Sequence, residues 1–387
     1  MRRSIPVLVA SGVAVALALA SCSSGSSSTE DTSAAASAAA TPAAGTAASG
    51  AASGAAAPSD ATTVLSAANI ASVIGAYPGD VTKLPTSFGE ATPGNLKIGW
   101  AAARLANELN ARLGYAIEKE VAAMGGTLVS LDANGDPAAQ VGQIQQLVNE
   151  GVDAIIVWPL DATALVPALK VAQEAGIPVT AMEVTPDGSS EIGPVDGQVI
   201  YGRDVHAYVA ATLMSQLFPG GQVATNKFSV PVPSINYYAE RAAFWAAEAG
   251  MEVVATVDNP SDDVAGGESM AGPVLAKYPD MKGWLAYNDA SAVGATAAAK
   301  AASRELSAFG QNGEDSALVA IENGQLALTV QPPVVEWAKQ LVGGAYLAKS
   351  GVEIPKSVFT SVGNVITAET VADAQPLTDI IDAAYGG

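Results

Sequence analysis

The chain has 387 residues, of which 49% are hydrophobic and 14% charged, a balance typical of a globular protein long enough for two domains. Its formal net charge of −20 argues against nucleic acid as a partner, because phosphate neutralisation requires clustered basic residues and only 18 face 38 acidic ones. One cysteine and one histidine exclude a disulfide framework and a Cys/His metal cluster, so neither cofactor nor metal is expected.

The amino terminus predicts export. Two arginines precede an apolar run from Ile5 to Ala20, as in a secretory signal. The sequence LASC that ends at Cys22 resembles the lipobox of bacterial lipoproteins, in which the cysteine is lipidated. We therefore expect residues 1–21 to be a lipoprotein signal peptide and the lipid on Cys22 to be the only membrane contact, on the outer face of the cell membrane. The alternative is an ordinary signal with a chance cysteine.

Composition changes sharply after the signal. Ser, Ala, Gly, Thr and Pro make up almost all of the next stretch, which cannot bury a core, so residues 22–62 are predicted to form a disordered tether. Residues 63–95 contain larger apolar groups such as Leu65, Ile70 and Tyr77. They are predicted to form an arm, with a short helix, laid on the folded domain.

Three strand–helix units open the folded part. Strands are predicted from Leu96 to Ala102, from Gly126 to Asp132 and from Ala154 to Val157, each followed by an amphipathic helix. Asp161 stands at the N-cap position of the third helix, and a further strand from Pro178 to Met182 follows it. Such units predict a parallel sheet with helices on both faces, and a ligand site beyond the carboxyl ends of its strands.

The second half repeats this pattern. Strands are predicted over Gln222–Val230, Met251–Val257, Gly283–Tyr287 and Leu306–Phe309, with helices between them, one of which is Ala-rich and capped by Asp289. Two similar α/β halves predict two Rossmann-like lobes with parallel sheets. The cleft between such lobes is suited to enclosing a small ligand by hinge closure.

Three segments of the folded part carry a family resemblance: LVSLDANGDPAAQVGQIQQLVNEGVDAIIVWPLDATALVPALKVAQEAGIPV, LAYNDASAVGA and IENGQLALTVQPP. In this order, between Leu96 and Ile366, they resemble the type I periplasmic binding proteins, in the ribose-like sugar-binding branch that serves ABC importers. The resemblance implies a three-segment hinge, with crossings near 195–204, 329–331 and 361–364. It places residues 96–200 and 332–362 in the first lobe, and residues 201–331 and 363–387 in the second lobe and tail.

The resemblance also implies ligand residues. Asn107 matches an asparagine in the loop after the first strand, and Asn288 matches the asparagine of the family's Asn-Asp turn. Arg241, in YYAERAAF, matches an arginine that clamps ligand hydroxyls, and Gln331 lies within one position of the last ligand glutamine. Amide and guanidinium groups suit paired hydroxyls. Further candidates on loops facing the same cleft are Tyr238, Asp262 and Tyr287.

Other positions depart from the family's pattern. Leu109-Asn110 replaces a pair of phenylalanines, and Trp158, in place of an asparagine, offers a replacement ring. Glu183-Val184 replaces the Asp-Arg pair that grips the sugar, with the loss of one cation, and Asn312 replaces an aspartate. Asn110, Trp158, Glu183 and Asn312 are therefore candidate ligand residues in a pocket of altered charge and shape, and the ligand is expected to be a small polar solute, a sugar or sugar-like compound.

Three glycine-bearing or acidic stretches are predicted to be turns. Asp132 to Asp136 has the opening spacing of a calcium loop, but Pro137 and Gln143 stand where glycine and glutamate are needed. Gly220-Gly221 and Gly266-Gly267 lack the strand-to-helix context of a phosphate loop.

The sequence thus predicts a lipid-anchored, extracytoplasmic and monomeric substrate-binding protein of an ABC importer, which delivers its ligand to a membrane permease without turnover. A ligand-sensing module that presents its closed form to a receptor or histidine kinase is the alternative, and the sequence does not separate the two. A DNA-binding regulator of the same fold would need a helix-turn-helix where this chain has its signal and tether. An enzyme has only scattered carboxylates in its favour.

Overall fold

The computed structural model of the protein describes residues 60–386. The signal peptide, the lipidation site Cys22 and the tether up to residue 59 lie outside the described residues, so what the sequence predicts of them stays a prediction.

The first lobe is built on a six-stranded sheet. Its strands are β1 (Lys97–Ala102), β2 (Thr127–Asp132), β3 (Ala154–Val157), β4 (Val179–Met182), β5 (Gly197–Ile200) and β11 (Ser357–Phe359). They lie in the order β11-β5-β4-β3-β1-β2, and each described pairing is parallel. The helices that cover this sheet are α3 (Glu108–Ala123), α4 (Pro137–Asn149), α5 (Ala162–Glu174) and α11 (Val334–Lys349).

The second lobe is also built on a six-stranded sheet. Its strands are β6 (Gln222–Phe228), β7 (Glu252–Asn259), β8 (Gly283–Leu285), β9 (Ser307–Phe309), β10 (Leu328–Gln331) and β12 (Asn364–Thr367). The order is β12-β10-β9-β8-β6-β7, with β12 antiparallel to β10 and the other described pairings parallel. Its helices are α6 (Arg203–Leu217), α7 (Pro233–Glu248), α8 (Val264–Lys277), α9 (Asp289–Ala301) and α10 (Asp315–Glu322). Two α/β lobes confirm the predicted fold class.

The unit from β3 to β4 shows why local sequence specifies these elements. All four residues of β3 are buried, as its uninterrupted apolar sequence predicts. Asp161 caps α5, because its Oδ1 accepts hydrogen bonds from the backbone N–H groups of Thr163 and Ala164 at 2.9 and 3.0 Å. Gly176 follows α5 with φ of +71°, a conformation that favours glycine. These local signals fix the parallel crossover.

The chain passes between the two sheets three times in the described part: after β5, after β10 and after β11. At the first crossing Gly202 has φ of +81°, and a Cβ atom there would lie 2.7 Å from Cε2 of Phe359. Glycine is therefore required both for the backbone turn and for the close approach of the last crossing. This turn positions Arg203 at the start of α6.

Helix α8 begins earlier in the chain than the sequence predicts. It begins at Val264 rather than at the predicted Ala271, and Asp263 caps it by accepting a hydrogen bond from the N–H of Gly266 at 2.8 Å. Gly266-Gly267 is therefore the first turn of a helix and not a loop turn. The reason is close helix packing, because a Cβ atom on Gly267 would lie 2.9 Å from the carbonyl oxygen of Ser291 in α9.

The carboxyl-terminal segment also differs from its prediction. The sequence placed residues 363–387 with the second lobe, but α12 (Leu377–Tyr385) packs on α3 of the first lobe. Leu377 and Ile381 are buried in the first-lobe core, and the hydroxyl of Tyr115 donates to Asp382 Oδ1 at 2.6 Å. A single amphipathic helix carries no local signal of which lobe it covers, so only the fold reveals its position.

The amino-terminal arm begins on the second lobe. Its helix α1 (Ala61–Val64) starts two residues inside the predicted tether, and α2 (Ala67–Gly75) follows it. Ile70 and Val73 of α2 are buried in the second-lobe core. The arm is then held beside α6, where the hydroxyl of Tyr77 donates to Asp204 Oδ2 at 2.7 Å.

The same arm ends on the first lobe. After a short 3-10 turn (Val81–Lys83), the ring of Phe88 is buried in the first-lobe core. The N–H of Phe88 donates to Oε1 of Gln340 at 2.8 Å, and the carbonyl oxygen of Pro85 accepts from the N–H of Phe359 at the same distance. The arm therefore contacts both lobes and passes over the hinge between them.

Candidate ligand-binding site

A cleft between the lobes holds a cavity of about 50 Å³. Its lining residues come from the segments that follow β1, β3 and β5 in the first lobe, and from those that follow β6, β7, β8 and β9 in the second. All are carboxyl ends of parallel strands, which is where open α/β sheets bind ligands. The site therefore lies where the strand pattern predicts it.

Two of the predicted asparagines are helix N-caps that face one another across the cleft. Asn107 caps α3 by accepting from the N–H of Asn110 at 3.2 Å, and Asn288 caps α9 by accepting from the N–H of Ser291 at 2.9 Å. In each cap the amide oxygen accepts the backbone hydrogen bond, so the amide nitrogen donates elsewhere. Nδ2 of Asn107 donates to Oδ2 of Asp262 at 3.3 Å, and Nδ2 of Asn288 donates to Oδ1 of Asp262 at 2.8 Å. The amide donors therefore come from both lobes.

The predicted cap of α9 is corrected by this geometry. Asp289 was expected to cap the helix, but the cap is Asn288. The Asp289 carboxylate is buried and accepts hydrogen bonds from the Thr329 hydroxyl at 2.6 Å and from the N–H of Glu314 at 3.0 Å. Burial and the nearby Glu314 carboxylate raise the pKa of Asp289 well above its ordinary value. Asp289 therefore stabilises the loop that presents Asn312 rather than the helix end.

Asp262 is the centre of the interlobe contacts at the mouth of the cleft. Its carboxylate accepts from the Tyr287 hydroxyl at 2.7 Å, and Nη1 of Arg104 lies 3.8 Å from it. Arg104 also donates to the carbonyl oxygen of Ser261 at 2.5 Å. Burial raises the pKa of Asp262, while the Tyr287 hydrogen bond and the Arg104 charge oppose this rise. First-lobe donors thus hold a second-lobe carboxylate directly, as in a closed form.

An aromatic and apolar surface lies beside these polar groups. Trp158 lines the cleft and is only 5% exposed, because the rings of Tyr201 and Trp337 pack edge-on against it at 6.5 and 6.2 Å. Leu109 and Phe228 add apolar surface from the two lobes. A fixed ring beside amides suits a solute with both C–H and hydroxyl surfaces.

The two other predicted asparagines also line the cleft. Asn110 contributes an Oδ1 atom that is buried and has no hydrogen-bond partner within the described part of the chain. Asn312 has φ of +111°, and its Nδ2 donates to Oε1 of Glu314 at 3.1 Å while its Oδ1 accepts from the Tyr201 hydroxyl at 3.4 Å. The strained backbone of Asn312 is held by these two contacts.

Glu183 and Arg203 form an ion pair at the hinge side of the cleft. Glu183, at the end of β4, is fully buried and lies behind the lining residues. Its Oε1 accepts from the N–H of Tyr201 at 2.9 Å, and its Oε2 lies 3.6 Å from Nε of Arg203. Burial raises the pKa of Glu183 to about 7, although the Arg203 charge opposes the rise. Arg203 itself lines the cleft.

Comparison with known proteins identifies the fold family. Residues 98–351 match the family described as periplasmic binding protein domain, which is more than half of the chain. The chain belongs to this family. It is therefore a binding protein and not an enzyme, as the resemblance predicted.

Two of the similar proteins are named for ribose and for xylitol. The ribose import binding protein of Bacillus subtilis is 29% identical over 243 residues, covering 62% of this chain and 77% of that protein. A xylitol-binding protein of Mycolicibacterium smegmatis is 28% identical over 240 residues, covering 57% and 64% respectively.

Solved structures share the fold. An ABC transporter solute-binding protein from Actinobacillus succinogenes with bound D-allose has a TM-score of 0.65 at 21% identity, covering 72% of this chain and 100% of that one. Another from Bacillus halodurans with bound myo-inositol has a TM-score of 0.64 at 22% identity, covering 74% and 98%.

Two predicted ligand residues of this periplasmic binding protein lie outside the cleft lining. Arg241 is on α7, where its Nε donates to Asp204 Oδ1 at 2.5 Å and its guanidinium lies 5.0 Å from the Trp245 ring centre. Gln331 donates to the carbonyl oxygen of Gln375 at 2.8 Å and borders a groove on the arm side of the second lobe. The cleft thus gathers Asn107, Asn110, Trp158, Asn288 and Asn312, with Glu183 behind them.

The sequence did not indicate Arg203, and it gave Asp262 only as a secondary candidate, although both residues line the cleft. Tyr238 was another secondary candidate, but it is buried and does not line the cleft. One signal pointed to Arg203: it is the sole arginine or lysine between Lys170 and Lys227, and it stands at the first lobe crossing. A basic residue at a lobe crossing is a candidate functional residue in a chain with so few basic residues.

The described part of the binding protein has neither a metal site nor a membrane span. Among residues 60–386, no three His, Cys, Asp or Glu side chains come together in a way that would hold a metal ion. The stretch at Asp132 is a turn, in which its Oδ1 accepts from the N–H of Asn134 at 2.9 Å. No helix in the described range combines the length and the apolar character needed to cross a membrane.

Proposed function

We propose that the protein is the substrate-binding component of an ABC importer and encloses a small neutral polyhydroxylated solute, a sugar or polyol, in the interlobe cleft. The observation that carries this proposal is the pairing of a fixed Trp158 ring with asparagine amides from both lobes. Amides both donate to and accept from hydroxyls, and the ring covers C–H surface. Relatives named for ribose and xylitol support the same class.

The proposed ligand contacts are Asn107, Asn110, Trp158, Asn288 and Asn312. Asp262 lies among them and accepts hydrogen bonds from ligand hydroxyls or, without ligand, from the amides. Glu183 is not among the lining residues, and it forms an ion pair with Arg203, which lines the cleft. Arg241 and Gln331 are left out of this contact set, because neither residue lines the cleft.

The proposed location of the protein is the outer face of the cell membrane. The protein acts as an extracytoplasmic monomer, held on the outer face of the membrane by a lipid on Cys22, and passes its ligand to a membrane permease. The lipobox-like sequence that ends at Cys22 supports the anchor. Metabolic labelling with a radioactive fatty acid tests it, because Cys22→Ser should abolish both the label and the membrane association.

Isothermal titration calorimetry tests the binding function. D-ribose, D-allose, xylitol and myo-inositol are titrated into the protein, and the tightest ligand is then measured with two variants. Asn110→Ala should weaken its binding about tenfold, since a buried amide that bonds a ligand hydroxyl is lost. Arg241→Ala, a change on α7 outside the cleft lining, should leave the dissociation constant unchanged. Saturable binding in which Arg241→Ala is the damaging change would contradict the proposed site.

A further inference from the structure

We propose that residues 77–88 of the amino-terminal arm form a strap that holds the two lobes in their closed arrangement. The strap lies outside the segment that matches the family, which begins at residue 98. It joins an anchor on the second lobe, at Tyr77, to an anchor on the first lobe, at Phe88. Because the strap acts on the opening of the lobes, its effect does not depend on which solute the cleft binds.

The second-lobe anchor is a hydrogen bond surrounded by aromatic rings. The Tyr77 hydroxyl donates to Oδ2 of Asp204 at 2.7 Å, while Oδ1 of Asp204 accepts from Nε1 of Trp245 at 2.6 Å. The Tyr77 ring packs edge-on against the rings of Tyr208 and Trp245, with centres 5.5 and 6.4 Å away. Asp204 is in the first turn of α6, next to the first lobe crossing. The start of the strap is therefore fixed on the helix that leaves this crossing.

The middle of the strap is buried at the hinge. Val81 is 6% exposed and belongs to the apolar cluster that also contains Ile200 and Phe359. Ile200 ends β5, directly before the first crossing, and Phe359 ends β11, directly before the last one. The carbonyl oxygen of Pro85 accepts from the N–H of Phe359 at 2.8 Å. The strap therefore shares a core with the residues that lead into two of the lobe crossings.

The first-lobe anchor is a slot for one aromatic ring. Two glycines leave space for the Phe88 ring, because a Cβ atom on Gly197 would lie 2.8 Å from its Cε1 and one on Gly344 would lie 2.7 Å from its Cδ2. The N–H of Phe88 also donates to Oε1 of Gln340 at 2.8 Å. A buried aromatic ring is one of the larger single contributions to a core, so this end of the strap is firmly held.

Fixed ends and a short connection make the strap sensitive to rotation of the lobes. The 3-10 turn over Val81–Lys83 shortens the reach of the connecting chain. Opening moves the Tyr77 anchor relative to the Phe88 anchor, so it breaks either the Tyr77 hydrogen bond or the packing of Val81. Contacts that exist only in the closed form shift the equilibrium towards that form. The strap therefore lowers the population of open molecules.

Pulsed electron paramagnetic resonance on the ligand-free protein measures this population. Spin labels on Ala139→Cys in α4 and Glu268→Cys in α8, two exposed positions on different lobes, report the lobe separation. Cys22→Ser removes the sole native cysteine. A Gly-Ser-Gly-Ser-Gly-Ser insertion between Gly79 and Asp80 lengthens the strap and keeps both anchors. It should raise the ratio of open to closed molecules about tenfold, because opening then no longer breaks a hydrogen bond to a charged group.

Two controls and a second variant complete the test. The same insertion between Gly351 and Val352, in the exposed turn after α11, should leave the ratio unchanged. Tyr77→Phe removes only the anchoring hydroxyl and tests the strap even if the lengthened protein does not fold. It should raise the ratio about tenfold in the natural strap and have no further effect in the lengthened one. Tyr385→Phe removes a hydroxyl that donates to Glu120 within the first lobe, and should have no effect.

An unchanged ratio in the lengthened strap or in Tyr77→Phe, or an equal rise in the control insertion, would overturn the proposed strap. A Tyr77→Phe effect of the same size in both backgrounds would also overturn it, because the hydroxyl would then act without the strap. The measurement needs no ligand. A protein that binds none of D-ribose, D-allose, xylitol and myo-inositol would therefore refute the proposed function and leave the strap unaffected.

Discussion

Replacing Glu183 by glutamine should remove a pH dependence from the stability of the protein. The folded-state pKa of Glu183 is raised by burial to about 7, from an ordinary value of 4.5. Between these values the native carboxyl binds more protons than the unfolded one, so the free energy of unfolding that it contributes is fully present below pH 4.5 and is lost as the pH rises through 7. This difference in pKa corresponds to a contribution to the free energy of unfolding of about 3–4 kcal/mol at most, at ~1.4 kcal/mol per pKa unit.

Urea unfolding followed by tryptophan fluorescence measures this effect at several pH values from 5 to 8. The stability of wild type relative to Glu183→Gln should fall by about 2–3 kcal/mol across this range. Exchange of the protonated carboxyl for an amide adds an offset, but that offset does not depend on pH, so the slope is the diagnostic quantity. The matched control Glu240→Gln, on the exposed face of α7, should follow the wild-type curve. Parallel curves for wild type and Glu183→Gln would refute the argument, since they would show that the buried carboxyl is ionised throughout.

Three further predictions concern other parts of the structure. Phe88→Ala should destabilise the protein by about 3–4 kcal/mol in urea unfolding, because the ring fills the first-lobe core where the arm ends, and a change below about 1 kcal/mol would show that the arm is not anchored there. Gly267→Ala should destabilise by about 1–3 kcal/mol, since its Cβ would meet the carbonyl oxygen of Ser291 at 2.9 Å, whereas Gly272→Ala in the same helix, with no described atom within 4 Å, should be neutral or stabilising. Trp158→Ala should weaken binding of the best sugar or polyol about 10- to 100-fold by calorimetry, and unchanged affinity would exclude the ring from the contact surface.

Features encoded locally could be predicted from the sequence. The buried strand β3, the Asp161 cap and the Gly176 stop are all read from neighbouring residues, and each has the predicted structure. Repetition of that unit in two halves was enough to predict two lobes and a cleft. Asn107 and Asn288 are at the cleft because each is the N-cap of the helix that follows a parallel strand.

Features that depend on packing between distant elements could not be predicted. Arg241 matched a sequence pattern, but its direction is set by Asp204 on α6, 37 residues away. Gly267 has a turn-like composition, yet it is helical because α9 approaches it closely. Arg203 reaches the cleft only because Gly202 turns the chain at the crossing.

A crystal structure of the protein with the tightest of its sugar or polyol ligands tests the central claim most directly. The account predicts one molecule between the lobes, with a ring or carbon face on Trp158 and hydroxyls bonded to the amides of Asn107 and Asn288. A ligand bound elsewhere, such as the groove bordered by Gln331, or a cleft ligand that leaves Trp158 and the asparagines uncontacted, would contradict it.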